Sequence, residues 1–382
     1  MEKNQLTNRN NKANENKYLE IKNIEEKPCQ KTVRYYGIDL LRMLSMINII
    51  NLHINKYSKN LKLKPTSLKF NSVYMFEIFS FWSVDGFGLI SGVVGYRRYK
   101  FSNLIYLWFQ YSFYSFVFTL YLYLNNYLLL RDVLLSIFPI GLYRRWYINA
   151  YFCMYLFLPF INLGIKYIEK TTFRNLILFY FLFFSVYHII VVIFLDKKTN
   201  FHFLNNGYSS LWLIILYIVG AYFGKFEINN SSSSKFNIFV SLGCLLIYLF
   251  SSLFSMKIFL ILLTKKYNIP SKILMNYLSP ISIIQAISLL ISFSKIIIKN
   301  KFFIQILMFF YPLTLNIALI HSRLFRLDVL QKQYFFRMVK QLEGNFLFFK
   351  LYLLSVVLYI FCGIFDYFRV IISLLSPYKN KN

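Results

Sequence analysis

Arg42 and His53 stand eleven residues apart inside an apolar stretch that runs from Gly37 to His53. On a helix, eleven steps return to within about 20° of the starting direction and advance about 16 Å along the axis. Both side chains therefore share one face. Asp39 lies three residues before Arg42, close enough to pair with it. An imidazole titrates near neutral pH and suits a general base. A guanidinium keeps its charge and can grip phosphate or carboxylate with two parallel hydrogen bonds. Charge inside hydrocarbon is costly, so such groups are functional candidates by default. Each also has a plainer use: Arg42 can snorkel to the interface beside Asp39, and His53 can sit at the far headgroup layer.

Other residues join this set. Asp85 sits in the apolar run Phe81–Gly95, where its natural partner is a histidine or arginine of another span. Brought near His53, it would orient the ring and stabilise the imidazolium. Gly86, Gly88, Ser91, Gly92 and Gly95 form a small-residue face suited to close helix packing. The basic turn Arg97, Arg98 and Lys100 suits anionic lipid, or the phosphates of a nucleotide-bearing donor. Trp146 and Tyr147 open a later span, as interfacial aromatics or as substrate contacts. His321 closes a span near the C terminus, in a position that serves structure more often than catalysis. His188 and His202 have no charged constellation around them. Cys29, Cys153, Cys244 and Cys362 are scattered. They lack metal-ligand spacing, so no metal site is expected.

The elements that must position these groups follow from composition. The chain has 382 residues, 57% hydrophobic, 21% aromatic and 15% charged. A soluble domain carries about 25% charged residues. No single water-soluble core could hide that much apolar side chain. A bilayer-crossing helix needs roughly 20 apolar residues. Such spans fit about 38–54, 72–95, 102–124, 146–166, 174–195, 208–226, 236–263, 273–298, 302–322 and 346–375. The expected fold is thus all-α, an integral membrane protein with about ten transmembrane helices. Residues 1–33 read as a polar tail, too hydrophilic for a signal peptide. Residues 34–376 read as one membrane domain, and 377–382 as a short tail. The net charge of +28 punctuates apolar runs instead of lining a stripe. That pattern points to membrane lipid and away from nucleic acid. Basic residues divide almost evenly between the two sides, so charge bias sets no orientation.

Taken in order, these motifs resemble the acyltransferase 3 family, polytopic membrane enzymes that modify surface and exported glycans. The resemblance rests on Arg42 and His53 with ten residues between them, Val84–Gly92, the turn Arg97–Lys100, and Trp146 with Tyr147. Asn276–Ile284 and Leu315–His321 continue it, so it spans about residues 34–325. It implies ten spans with both termini in the cytoplasm of a cell-membrane protein. It further implies transfer of an acyl group, most often acetyl, from acyl-CoA to a hydroxyl of a polysaccharide or its lipid-linked precursor. By motif position, Arg42 and His53 are the functional pair, and Arg97, Arg98 and Lys100 a further basic motif for the coenzyme. Acyl-CoA would be a substrate, with no tightly bound cofactor. Two positions depart from the family pattern: Lys100 replaces the second of two arginines, and Ala318 stands where tyrosine is usual. The rival reading is a transporter or flippase of lipid-linked sugars, which also uses many spans and buried charge.

Overall fold

A chain this apolar can satisfy its backbone in a bilayer with helices or with a closed barrel. The computed structural model describes residues 34–59, 67–97, 99–140, 146–194, 204–228, 234–264, 272–331, 341 and 346–375, and no strand occurs among them. The helices, in order, are α1 (Tyr36–Lys59), α2 (Leu68–Ile78), α3 (Trp82–Gly95), α4 (Phe101–Leu124), α5 (Leu130–Ile137) and α6 (Trp146–Tyr167). There follow α7 (Lys170–Phe194), α8 (Ser210–Glu227), α9 (Ser234–Thr264), α10 (Pro280–Ser294), α11 (Lys301–Phe310), α12 (Thr314–Gln331) and α13 (Leu347–Leu375). The expected tails, 1–33 and 377–382, lie outside the described residues.

Among the described residues, eight helical stretches are long and apolar enough to cross a bilayer. The protein is an all-α, multi-spanning membrane protein. The remaining two of the ten expected spans are helical but fall short in different ways. In α4, tyrosines, serines and a glutamine dilute the apolar run over its 24 residues. The other, α10, has 15 residues. At the helical rise it reaches only roughly 22 Å, against a hydrocarbon core of about 30 Å.

The second expected span, 72–95, is not one helix but two. It breaks at Phe79–Phe81 with no glycine or proline at the break, and side chains hold it open. The freed carbonyl of Phe79 accepts from the Trp82 indole at 2.9 Å and from the Tyr248 hydroxyl at 2.9 Å. Ser80 donates to Asn48 Oδ1 at 3.0 Å, and Asn51 Nδ2 reaches Ser80 Oγ at 3.3 Å. Polar side chains of α1 thus pin the break in place, satisfying groups that lipid would leave bare. Beyond the break, α3 packs on α8 through the small-residue face. A Cβ at Gly92 would strike the Tyr217 carbonyl, and one at Gly220 would strike that of Leu89. The two backbones touch, as small residues permit.

The ninth expected span also bends. Pro312 lacks the N–H that would continue the ladder, and a tight turn, Tyr311–Leu313, separates α11 from α12. Thr314 Oγ1 answers by donating to the Tyr311 carbonyl at 2.8 Å. At the centre, α1 buries Ile50 and Ile54 completely, against Phe76 of α2, Tyr111 and Tyr114 of α4, and Ile317 and Ile320 of α12. That packing fixes the rotation of α1, and with it the directions of Arg42 and His53.

Candidate active site

The face of α1 not used for packing opens on a cavity of about 900 Å³. That is large enough for a cofactor-sized ligand. Its lining follows α1 from Arg42 to Lys56. Fourteen helical steps cover about 21 Å. Ser91 of α3, Tyr147 and Tyr151 of α6, and the α11–α12 bend contribute to the walls, and Trp146, Tyr208 and Tyr277 also line them.

At one end, His53 Nδ1 lies 2.8 Å from His321 Nε2, and the rings are tilted at 32° with centroids 5.0 Å apart. His321 is 2% exposed, and its Nδ1 lies 2.7 Å from the Ile317 carbonyl, one helical turn back. This second bond assigns the protons. A carbonyl only accepts, so His321 carries hydrogen on Nδ1 and, when neutral, a lone pair on Nε2. His53 must then donate through Nδ1, which leaves its lone pair on Nε2. A proton arriving at Nε2 would turn the bond between the rings into a charge-assisted one. The pair has the geometry of a general base with a second histidine orienting it.

Arg42 marks the other end. It makes no hydrogen bond and no ion pair among the described residues, and it stands where its charge reaches the hydroxyls of Tyr147 and Tyr151. The expected pairing with Asp39 is not formed: Arg42 lines the cavity, while Asp39 is buried at 8% exposure. An uncompensated guanidinium in a membrane-embedded cavity is built to receive an anion.

Five of the expected catalytic and substrate-contacting residues therefore meet at one cavity: Arg42, His53, Trp146, Tyr147 and His321. Asp85 does not join them. It is fully buried, accepts from the Trp212 indole at 3.0 Å, and locks α3 to α8; the group holding His53 is His321 instead. Its bond to Trp212 directs Asp85 towards α8, although its charge still reaches the Tyr147 and Tyr277 hydroxyls at the cavity wall. Arg97 is exposed and lies over the Tyr96 ring at 4.9 Å. Lys100 is exposed, and its carbonyl accepts from the Tyr155 hydroxyl at 3.1 Å. Neither lines the cavity. Arg98 lies outside the described residues.

Sequence reasoning missed Glu77, a residue of α2 that lines the cavity at 6% exposure. The signal was present, since Glu77 falls within an apolar span and the rule that selected Asp85 applies to it equally. Lys56, Tyr151, Tyr208 and Tyr277 were missed as well, and nothing in their local sequence distinguishes them from interfacial residues.

A helical membrane protein enclosing a cavity with a histidine pair at one end and a bare guanidinium at the other has the groups that proton transfer beside a bound anion would use. The chain belongs to the acyltransferase 3 family: the family model, described as an acyltransferase domain, matches residues 35–367, nearly its whole length. It is a membrane acyltransferase. No curated protein and no solved structure matched the chain significantly.

Proposed function

We propose that the protein transfers an acyl group, with acetyl the expected one, from acyl-CoA to a hydroxyl of a cell-surface or exported polysaccharide or its lipid-linked precursor. The single observation that carries this reading is the His53–His321 pair, whose proton arrangement leaves the His53 Nε2 lone pair as the base. The acceptor O–H gives its proton to His53 Nε2 as its oxygen attacks the thioester carbonyl. His321 accepts the His53 Nδ1–H and stabilises the imidazolium. The tetrahedral intermediate then expels the coenzyme thiolate, breaking the C–S bond, and the proton on His53 passes to the departing sulfur. The products are an ester and free coenzyme A.

The helix spacing assigns Arg42 a different task. Lying about 16 Å from His53 along the axis, it cannot steady an oxyanion formed at the histidine. It grips a phosphate of the donor, whose extended arm spans the distance. Arg97 and Lys100 gather the nucleotide end outside the cavity, on the side where α1 begins, which this reading takes as the cytoplasmic side of the cell membrane; Arg98, between them in sequence, is assigned the same task.

The test uses sealed membrane vesicles, right-side-out and inverted, supplied with acetyl-labelled coenzyme A and a cell-derived glycan acceptor. Label should pass to glycan in one orientation and vanish in His53→Ala that is still folded and inserted. Absence of coenzyme A consumption with every acyl chain tried would move the assignment to transport of lipid-linked sugar.

A further inference from the structure

Resting on that reading, we propose that Glu77 is the specificity-determining residue of the acceptor pocket, accepting hydrogen bonds from the hydroxyls that flank the attacking one. Three observations place it there. First, Glu77 sits at nearly the depth of His53. Ser80 contacts Asn51, and α2 runs back along α1. Stepping three residues from Ser80 and two from Asn51 therefore moves in the same direction, by about 4.5 and 3 Å. Second, Glu77 is only 6% exposed and yet lines the cavity. A ligand entering there meets a strong acceptor held in a low-dielectric wall. Third, Tyr208 and Tyr277 line the same cavity, and the charge of Glu77 reaches their hydroxyls.

Those rings make a platform and not a cage. Trp146 and Tyr208 meet edge to face at 4.6 Å, and Tyr208 and Tyr277 at 5.1 Å. Rings this close leave no space between them for a quaternary ammonium, which needs faces spread around it. A packed aromatic surface near a carboxylate instead fits a flat ligand with a C–H face on one side and hydroxyls on the rim. The platform supplies contact area; Glu77 sets which hydroxyl faces His53.

The experiment measures binding, so it stands apart from whether the acyl transfer itself occurs. The full chain in nanodiscs is titrated calorimetrically with methyl β-glucopyranoside, its singly deoxygenated analogues, sorbitol and tetramethylammonium. The proposal expects the ring glycoside to bind more tightly than the open-chain sorbitol. One deoxy analogue should bind about tenfold more weakly than its parent, the loss that accompanies a bond to a charged acceptor. Glu77→Gln should weaken the parent glycoside about tenfold and erase the difference between parent and analogue. Glu227→Gln, which loses an exposed ion pair with Lys170 and lies outside the cavity lining, provides a folded control and should preserve that difference. Equal binding by wild type and Glu77→Gln overturns the proposal. So does undiminished discrimination among deoxy analogues in Glu77→Gln, or tighter binding of tetramethylammonium than of glycoside. Glycoside binding that depends on Glu77, without acyl transfer, would sink the transferase mechanism and leave this site standing.

Discussion

Two regions of the molecule hold ionised groups inside the membrane, and they treat them in opposite ways. Between α4, α12 and α13, Asp366 is fully buried and fully answered. It accepts from the Tyr114 hydroxyl, from Asn316 Nδ2 at 2.9 Å, and from Arg369 at 2.7 and 3.3 Å. Arg369 also reaches the Tyr106 hydroxyl at 3.4 Å. Both carboxylate oxygens are used and the charge is cancelled. Around the cavity, Arg42 has no such partner among the described residues and lines open space. A buried charge that is matched ties helices together; one held at a cavity wall waits for a ligand to match it. The contrast separates structural from functional charge without reference to family.

The largest effect should come from the cavity. His53→Ala removes the base, and general acid–base groups contribute roughly 10²–10⁴-fold. Turnover of acyl-CoA should fall by that range while the thermal midpoint in detergent holds. A parallel loss of midpoint would mean that His53 belongs with the structural charges.

The opposite pattern is expected at Asp366. Asp366→Ala strands Arg369 in the membrane interior, and breaking a buried pair costs about 3–5 kcal/mol. Yield and thermal midpoint should drop sharply, with activity per folded molecule retained. The double variant Asp366→Leu with Arg369→Met should recover most of the loss, since no charge is then left alone. A variant that stays stable but inactive would transfer Asp366 to the site.

Arg42 sharpens the comparison at smaller scale. Arg42→Lys keeps the charge and loses the fork, so KM for acyl-CoA should rise about tenfold with kcat nearly unchanged. Arg42→Met should leave the thermal midpoint no lower than wild type, because no protein partner is orphaned. Steady-state kinetics and thermal unfolding on the same preparations check both. A fall in stability would show that Arg42 ties the fold together.

How much of this was legible in the sequence depends on distance along the chain. Arg42 and His53 share a face because one continuous helix carries both, and helical periodicity predicts that directly. The helical spans were legible from apolar length, as was the glycine face that seats α3 on α8. The His53–His321 contact joins residues 268 apart, and only the packing of α1 against α12 creates it. The break before Trp82 was hidden because neither proline nor glycine announces it; Asn48 and Asn51, on another helix, hold Ser80 there. The direction of Asp85 was hidden too, since a bond to Trp212 on another helix sets it. Asp366 and Arg369 carried a readable signal, opposite charges three apart in the last span. Their role nevertheless emerges only from Tyr114 and Asn316 on other helices.

Asp85 gives the finest test, because sequence and structure assign it differently. Were it the group orienting His53, replacing its carboxylate with an amide would cost turnover roughly 10²-fold or more, as loss of an orienting carboxylate does elsewhere. In the observed arrangement Asp85 Oδ1 accepts one bond from Trp212, and Oδ2 has no hydrogen-bond partner among the described residues. Asparagine keeps an oxygen for the indole, while its amide hydrogens go unanswered where Oδ2 stood. One unanswered polar group replaces another. Asp85→Asn should therefore change stability by no more than about 1 kcal/mol and turnover by less than about threefold. Asp85→Ala would instead leave the Trp212 indole without an acceptor and cost about 1–3 kcal/mol, seen as a lower thermal midpoint at normal kcat. The pair of variants thus places Asp85 among the groups that hold α3 on α8, and a collapse of kcat in the asparagine form alone would return it to the histidine.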